Sequence, residues 1–412
     1  MAVEMNNFLP LILFCIAAII SSTVFFQRKK CGYTTKRKLP PGQLGLPFIG
    51  ETMEFYEAQR INRLFEDFVE LRVAKYGKIF KTSLMGLPTI GVNGAKANRF
   101  ILSNKFKLVI STWPSSSVQL MGRNSIMEKH GDQHRFRRSL ITSSLSCSAL
   151  QSLVPKICRA VQLHLKSYWH GKENVILYCS TKLLTFTSVR VLVGDQCGAR
   201  DVGDQCGARD VGKFRESSVR CSCSTDQHPW IWIFKGEESK GDNSEDVGES
   251  EHDDVMKTKK EGEELTLENV KKMEYSWEAA RESMRLFPPI FGSFRKAVAD
   301  IEYQGFTIPK GWKVLWTAYG THYDGECFKN PRRYDPSRFQ EFVPPYVYVP
   351  FGGGPRSCAG YQLAKFNILI FLHYVVTGYD WSLVHPQESI IMYPLPLPSQ
   401  GIPIYISPKT PK

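Results

Sequence analysis

The chain has 412 residues and a formal net charge of +13, and its length suits one large domain or two ordinary ones. Its 11 cysteines are odd in number and irregularly spaced, which excludes the disulfide framework of a small secreted protein. The excess of basic residues is compatible with binding to nucleic acid, to an anionic membrane or to an acidic protein. No repeat of aromatic and basic residues and no zinc-finger spacing supports binding to nucleic acid.

The first element is an uncharged, apolar stretch from Phe8 to Phe26. A stretch of this length can just span a bilayer as a helix. Basic residues follow it at positions 28–30 and 36–38, so the positive-inside rule places the rest of the chain in the cytosol. The alternative, a cleaved signal peptide, needs a basic start, a shorter apolar core and a small-residue cleavage site, and none is clear here. The sequence therefore predicts an uncleaved N-terminal anchor within residues 1–30.

Residues 31–193 are predicted to be mainly helical. A proline-rich lead-in, Leu39 to Glu51, resists helix formation and is predicted to be extended. Apolar periodicity and turn residues predict three helices and one small hairpin in the remainder. The helices cover Ile61–Lys75, Ala149–Tyr168 and Cys179–Val193, and the hairpin joins Ile79–Leu84 to Thr89–Val92 around Met85-Gly86.

A basic segment lies between the hairpin and the last two helices, from His130 to Leu140. His134 and Arg138 are four residues apart and share one face of a helix. Taken by itself, this pattern is typical of an ordinary solvated basic face. Arg135 and Arg137 lie elsewhere on the helix, where they either meet an acidic partner or serve no partner.

The pattern breaks between residues 194 and 264. The nonapeptide VGDQCGARD occurs twice in succession, at 193–201 and 202–210, and an acidic stretch runs from Gly236 to Glu264. Low hydrophobicity and clustered charge predict disorder in this stretch. Five potential zinc ligands lie in the break, but the spacing does not fit a structural zinc site on both arms. They are Cys197, Cys206, Cys221, Cys223 and His228.

Order is predicted to resume at Leu265, with a helix that Pro288-Pro289 ends. Glu282 and Arg285 are three residues apart on this helix and can pair on one face. Glu278 and Arg281 have the same spacing, and either pair can equally be a surface ion pair worth only a few tenths of a kcal/mol. Strands follow between Ile301 and Trp316.

The sequence PFGGGPRSCAG, from Pro350 to Gly360, precedes a predicted helix from Tyr361 to Val376. Its glycines allow tight turns that bring backbone N–H groups together around the sulfur of Cys358. Free N–H groups and the helix dipole favour a thiolate at such a position. Arg356, two residues earlier, is placed to pair with a carboxylate on whatever the sulfur binds. The alternative is a glycine-rich surface turn with a structural cysteine.

This loop resembles the haem-binding signature of the cytochrome P450 family, F-x-x-G-x-R-x-C-x-G. All five fixed positions are present, as Phe351, Gly354, Arg356, Cys358 and Gly360. The resemblance implies that Cys358 is the axial ligand of haem b, and that the thiolate pushes electron density onto the iron. It also implies electrons from NADPH, delivered by NADPH–cytochrome P450 reductase.

The resemblance assigns further roles by position. His134, Arg138 and Arg295 match residues that meet haem propionates. Glu282 and Arg285 match the family's E-x-x-R motif, and Arg338, in the segment Pro331–Phe339, would complete a buried network with them. The segment Ser111–Asn124 matches a region over the substrate pocket, where Trp113 either lines the pocket or simply packs. The implied fold is mainly α with small β-sheets, and residues 265–412 form its haem-binding part.

Four stretches look nearest to plant microsomal members that oxidise di- and triterpenoids, similar to taxane hydroxylases and amyrin oxidases. They are LPPGQLGLPFIGE, STWPSS, KEGEEL and FRKAVADIEYQGFTIPKGWKVLW. This group implies a hydrophobic terpenoid or sterol-like substrate, a single-pass endoplasmic reticulum protein with a cytosolic catalytic domain, and no role with nucleic acid.

One family feature is absent from the sequence. Members carry a long central helix with an acid–threonine pair in the motif A/G-G-x-D/E-T-T, and no such motif occurs between Ser180 and Val270. The family fold is therefore predicted to be incomplete in the middle, and no catalytic residue is assigned. Three interpretations follow: a haem-thiolate monooxygenase, a degenerate relative that binds haem poorly without turnover, or a non-enzymatic membrane protein with an acidic interaction segment.

Overall fold

The structure is a computed structural model that describes most of the chain outside the N-terminus and the central break. The described residues are 21, 38–104, 107–113, 117–119, 122, 124–182, 184–185, 244–259, 263–392 and 396–410. Within these ranges, no helix is long and apolar enough to cross a bilayer. Apart from Ser21, the predicted anchor lies outside the described residues, as does the duplicated nonapeptide.

Helices form most of the described regular structure, which confirms the prediction of a mainly α fold with small β-sheets. The α-helices are α1 Thr52–Arg60, α2 Leu71–Tyr76, α3 Ala95–Ser103, α4 Gly131–Ser144, α5 Cys147–Tyr168, α6 Ser244–Lys257, α7 Leu267–Lys271, α8 Glu274–Leu286, α9 Tyr319–His322 and α10 Tyr361–Gly378. A π-helix covers Leu64–Glu70, and 3₁₀ turns cover Pro336–Phe339 and Gly354–Arg356.

Twelve strands form small sheets in the described residues. They are β1 Ile79–Leu84, β2 Leu87–Val92, β3 Val109–Ser111, β4 Asn174–Ile176, β5 Gly292–Ala297, β6 Ile301–Tyr303, β7 Phe306–Ile308, β8 Lys313–Thr317, β9 Tyr379–Leu383, β10 Ile390–Met392, β11 Pro396–Pro398 and β12 Pro403–Pro408. The main sheet has the order β1-β2-β8-β5-β3, in which only β2 and β8 run parallel.

The predicted β1–β2 hairpin is confirmed. Leu84 pairs with Leu87, and the two residues between them, Met85 and Gly86, both have positive φ, at 55° and 69°. A two-residue hairpin turn needs this geometry because its twist then matches that of the strands.

Helix α10 lies at the centre of the largest apolar core. Its residues from Phe366 to Leu372 are all buried, and they pack with α5, α6 and α8. A helix with apolar residues on all sides has no polar face to expose to solvent, so it is buried at the centre of the core. Because Cys358 lies just before this helix, the cysteine loop is attached to the most buried part of the fold.

The predicted disorder of Gly236–Glu264 is wrong for the described part of that stretch, because Ser244–Lys257 forms α6. The Glu251 carboxylate accepts the backbone N–H groups of Tyr275 at 2.7 Å and Ser276 at 3.1 Å, at the start of α8. Those N–H groups have no partner within their own helix, so an acid there is stabilising. His252 and Val255 on α6 are buried. Composition alone missed these contacts, and the ordered C-terminal part begins before residue 265.

Two smaller predictions also change. The segment predicted as one helix over Ile61–Lys75 is a π-helix followed by α2, and Leu71, the first residue of α2, is 61% exposed. The extra residue per turn of a π-helix rotates the following residues away from the core face. In addition, β5 was not predicted, although it joins β8 to β3 in the main sheet.

Candidate haem-binding site

The cysteine loop is folded tightly on its own backbone. The Cys358 N–H donates to the Phe351 carbonyl at 2.9 Å, and the Ser357 N–H donates to the Gly354 carbonyl at 3.0 Å. Gly354 has φ of +64°, and a Cβ there would collide with the Leu102 carbonyl oxygen on α3. The motif therefore needs glycine at this position for both conformation and space.

Cys358 borders a cleft of about 340 Å³ between the loop and the start of α10, lined also by Arg281, Tyr348 and Tyr361. Part of the residue is exposed to this cleft, while the surrounding loop desolvates the sulfur. This desolvation raises the pKa of the Cys358 thiol, and the Gly360 N–H and the Arg138 charge oppose it only in part. Burial of the sulfur therefore opposes the thiolate that the backbone N–H groups favour. A bound metal ion would deprotonate the thiol directly.

Arg356 ties the loop to the chain that leads into α4. Its guanidinium donates to the Met127 carbonyl at 3.0 Å, to the Lys129 carbonyl, and to His130 Nδ1 at 3.0 Å. Burial lowers the pKa of Arg356 from its ordinary value. The cysteine loop is thereby joined to the segment before α4, and the bond from Arg356 to His130 spans 226 residues of sequence.

Helix α4 turns its predicted basic face towards the loop. Arg138 donates from Nη1 to the Ser357 carbonyl at 2.7 Å and from Nη2 to the Ser357 hydroxyl at 3.3 Å. His134, one turn earlier, is buried. This face therefore packs against the loop through the buried His134 and the half-buried Arg138. By contrast, Arg135 is exposed and pairs with Asp132 at 2.8 Å.

Arg295 enters the same region from β5. It is 6% exposed, its Nη1 donates to the Phe294 carbonyl at 2.9 Å and to the Ser293 hydroxyl, and its Nε has no hydrogen-bond partner. Burial and the nearby charge of Arg356 lower the pKa of Arg295 to about 10. Among the described residues, no carboxylate pairs with either Arg138 or Arg295.

The positive charges of the half-buried Arg138 and the buried Arg295 show which ligand the site can accept. A buried guanidinium without a counter-charge is costly, so the site is suited to an anionic ligand. Haem b carries two carboxylates beside an iron that needs an axial ligand, and arginine pairs well with carboxylates. The donor set of Arg138, Arg295, Arg356 and Cys358 therefore fits haem.

The structure brings Glu282, Arg285 and Arg338 into one network. Glu282 and Arg285 are 0% exposed and pair through two bonds, Nε to Oε2 at 2.6 Å and Nη2 to Oε1 at 2.8 Å. Arg338 Nε contacts Glu282 Oε1 at 3.2 Å, and the Asp335 N–H donates to the same oxygen at 2.9 Å. The other N–H groups of the two arginines donate to backbone carbonyls. Arg285 Nη1 donates to His322 at 2.6 Å, and Arg338 Nη2 donates to Asn330 at 3.0 Å.

The alternative pair on the same helix does not form such a network. Arg281 stacks over the Phe339 ring at 4.0 Å, and Glu278 accepts a long bond of 3.4 Å from Gln340. Glu282 and Arg285 are therefore the buried ion pair on α8.

His322 on α9 connects the network to the cysteine loop, and the sequence analysis missed it. Its Nδ1–H donates to the Arg285 carbonyl at 3.0 Å, and its Nε2 accepts the Val349 N–H at 3.0 Å, just before the loop. These two bonds define one neutral tautomer. Burial and the Arg285 charge lower the pKa of His322 to about 3. No spacing signal could identify it, because Arg285 lies 37 residues away.

Comparisons with known proteins agree with this geometry. The family model described as Cytochrome P450 matches residues 246–404. A taxane 13-alpha-hydroxylase from Taxus cuspidata is 33% identical over 473 residues, covering 96% of this chain and 97% of that enzyme. A beta-amyrin 28-monooxygenase from Kalopanax septemlobus is 32% identical over 476 residues, covering 97% of this chain and 98% of that enzyme.

A solved structure is similar over nearly the same extent. The retinoic acid-bound cyanobacterial CYP120A1 matches with a TM-score of 0.72 and 25% identity, covering 91% of this chain and 100% of that chain. Both plant alignments are longer than the 412 residues of this chain, so gaps must be opened in it to cover the relatives.

Proposed function

Because the chain belongs to the cytochrome P450 family, in the group of plant terpenoid monooxygenases, we propose that it binds haem b through Cys358 and hydroxylates a diterpenoid, triterpenoid or sterol-like substrate. The observation that carries the proposal is the complete cysteine loop beside the buried Arg295 and the half-buried Arg138, neither of which pairs with a carboxylate among the described residues. The similarity to taxane hydroxylases and a beta-amyrin oxidase supports the substrate class.

The bound haem would supply oxygen activation, with electrons delivered by a reductase. In this chain, Cys358 would hold the iron, and Arg295, Arg356 and the α4 face with His134 would hold the carboxylates. Arg138 contacts Ser357, so it would also orient the peptide next to the ligand. The Phe351 ring packs edge-on against Tyr361 at 4.9 Å and would help exclude water from the sulfur.

A Cys358→Ala variant tests the axial ligand. The wild-type chain, reconstituted with haem, reduced and exposed to CO, should show the red-shifted Soret band of a thiolate-ligated iron, and the variant should lose it. Cys327→Ala is the matched control, because Cys327 is a second free cysteine outside the loop. An unchanged band in Cys358→Ala would show that another residue binds the iron.

The electron donor and the location are part of the same proposal. We expect electrons from NADPH through NADPH–cytochrome P450 reductase, and an endoplasmic reticulum anchor within Phe8–Phe26 with the remainder in the cytosol. The exposed apolar side chains of Phe48, Ile49, Met53 and Met85 support membrane contact near the N-terminus. They lie together, since the Met85 N–H donates to Thr52 Oγ1 at 2.8 Å.

Protease added to sealed microsomes should digest the cytosolic domain. Complete protection until detergent is added would show that the orientation is reversed.

A second candidate function is haem binding without efficient turnover. The absent acid–threonine motif favours it, and the gaps that the relatives' alignments require in this chain are consistent with a lost segment. A general acid–base relay contributes about 10²–10⁴-fold to a rate, so its loss alone can abolish measurable product.

Expression with a plant reductase, in yeast that makes diterpene or triterpene scaffolds, separates the two candidates. Product formation coupled to NADPH use supports the monooxygenase. A normal CO spectrum without oxygenated product supports the second candidate.

A further inference from the structure

Trp113 carries a buried hydrogen-bond donor without an acceptor. Its indole Nε1 is inaccessible to solvent and has no hydrogen-bond partner among the residues that the structure describes. Tryptophan can only donate through this group, so no rearrangement of its own ring can satisfy it. A buried donor left unpaired costs free energy, and native proteins rarely retain one without a reason.

The sheet places Trp113 next to the predicted haem contacts. On β3, Ser111 pairs with Arg295 on β5. Trp113 follows Ser111 by two residues, so its Cα is no more than about 7 Å further along the chain. Arg295 is therefore the nearest buried cation on the neighbouring strand, and its Nε is also without a partner.

Two buried donors, one on β5 and one two residues after β3, thus lack acceptors in one region of the described chain. One of them is cationic, so the acceptor that suits both is an anion with more than one oxygen atom. A carboxylate meets this requirement, and haem brings two of them to this part of the protein.

We propose that Trp113 is a haem-binding residue, which donates its indole N–H to the haem propionate that Arg295 holds. The proposal rests on the haem binding proposed above. It replaces both expectations for Trp113, which were a substrate contact and ordinary packing.

The chain offers a matched control in the same sheet. Trp316 on β8 also has a buried Nε1 without a partner, but it lies in the apolar cluster that includes Ile101, Val109 and Val314. Trp113→Phe and Trp316→Phe therefore make the same chemical change at two places. Trp113→His restores a ring N–H at the first place only.

The test measures the rate at which the full-length, haem-loaded chain transfers haem to excess apomyoglobin, together with the resonance Raman bending bands of the propionates. Trp113→Phe should lose haem about tenfold faster and shift a propionate band, as expected for one lost bond to a charged group. Trp113→His should recover much of the difference, and Trp316→Phe should resemble the wild type.

Reconstitution with haem dimethyl ester removes the carboxylate charge from the other side of the contact. The difference between Trp113→Phe and wild type should then shrink markedly. The proposal is overturned by an unchanged haem-loss rate, by an equal effect of Trp316→Phe, or by a difference that persists undiminished with the ester. If Trp113→Phe does not fold, the comparison of Trp113→His with wild type on the two haems decides instead. A wild-type chain that binds no haem would contradict the proposed function itself, which is a different outcome.

Discussion

Two charged clusters flank the cysteine loop, and they differ in which groups pair with their charges. On one side, Glu282 binds Arg285 and Arg338, and protein carbonyls accept the remaining donors. On the other side, the half-buried Arg138 and the buried Arg295 contact carbonyl and hydroxyl oxygens within the described part of the chain, where Arg295 Nε has no acceptor. The first cluster contains its own counter-charge, whereas the second is suited to an anionic ligand.

This difference separates the groups that hold the fold from the groups that hold a ligand. A buried network stabilises a structure only when all its members are paired, and it destabilises the structure strongly when one partner is removed. A buried cation without a partner has the opposite effect: it costs stability until its ligand binds. Substitutions in the two clusters should therefore have effects of different size and different sign.

The largest effect is expected for Glu282→Ala. The change leaves Arg285 buried with no counter-charge, which typically costs about 3–5 kcal/mol. Haem-loaded protein should then fail to accumulate, as measured by expression yield, haem content and melting temperature. Normal haem content and an unchanged melting temperature would contradict the structural role of the network.

The second largest effect is expected from pH, because the unfolding free energy should depend on the protonation of His322. Its pKa in the folded chain is about 3, below its ordinary value of 6.5, so between these values the unfolded chain binds more protons. Stability is therefore fully present above pH 6.5 and falls as the pH drops towards 3. The slope contributed by one such group approaches about 1.4 kcal/mol per pH unit.

Urea unfolding at several pH values between 7 and 4.5 measures this slope. His322→Asn should lower the slope of unfolding free energy against pH by up to about 1.4 kcal/mol per pH unit, which corresponds to one proton. His385→Asn, at an exposed position, should leave the slope unchanged. His164 and His373 have pKa values lowered by burial to about 4 and about 3, so part of the slope should remain in His322→Asn. A slope equal to that of the wild type would show that His322 does not control acid stability.

Arg295→Gln, on the other side of the loop, should change the stability of the haem-free chain in the opposite direction to Glu282→Ala. Removing an unpaired buried charge should leave the haem-free chain as stable as wild type or slightly more stable. Haem affinity should fall about tenfold to a hundredfold, because a charged hydrogen bond to the carboxylate is lost. Denaturation of the haem-free chain and haem transfer to apomyoglobin measure the two effects separately. A loss of stability without any change in haem affinity would place Arg295 with the structural cluster instead.

The smallest effect is expected at an exposed pair with the same spacing as Glu282–Arg285. Glu57 and Arg60 are also three residues apart, with a contact of 3.0 Å, but both side chains are more than half exposed. Glu57→Ala should change the unfolding free energy by less than about 0.5 kcal/mol, because water screens the charges. A cost near that of Glu282→Ala would mean that spacing, and not burial, decides the energy.

Local sequence was sufficient for several elements of this fold. The β1–β2 hairpin and the helix after the cysteine loop follow from turn residues and apolar periodicity, and both form as predicted. The segment Gly236–Glu264 shows the limit of composition. It is acidic enough to suggest disorder, yet Glu251 and His252 within it bind groups on α8 and α10.

The sequence by itself determined the family, the candidate axial cysteine and the paired residues on α8, because each depends on residues within a few positions of one another. Only the tertiary structure decided which polar groups are satisfied. Arg138 meets Ser357 across 219 residues, and Arg285 meets His322 across 37, so neither contact leaves a local pattern. Burial also sets the cost of each charge, since the same three-residue spacing gives a buried ion pair at Glu282 and a solvated one at Glu57.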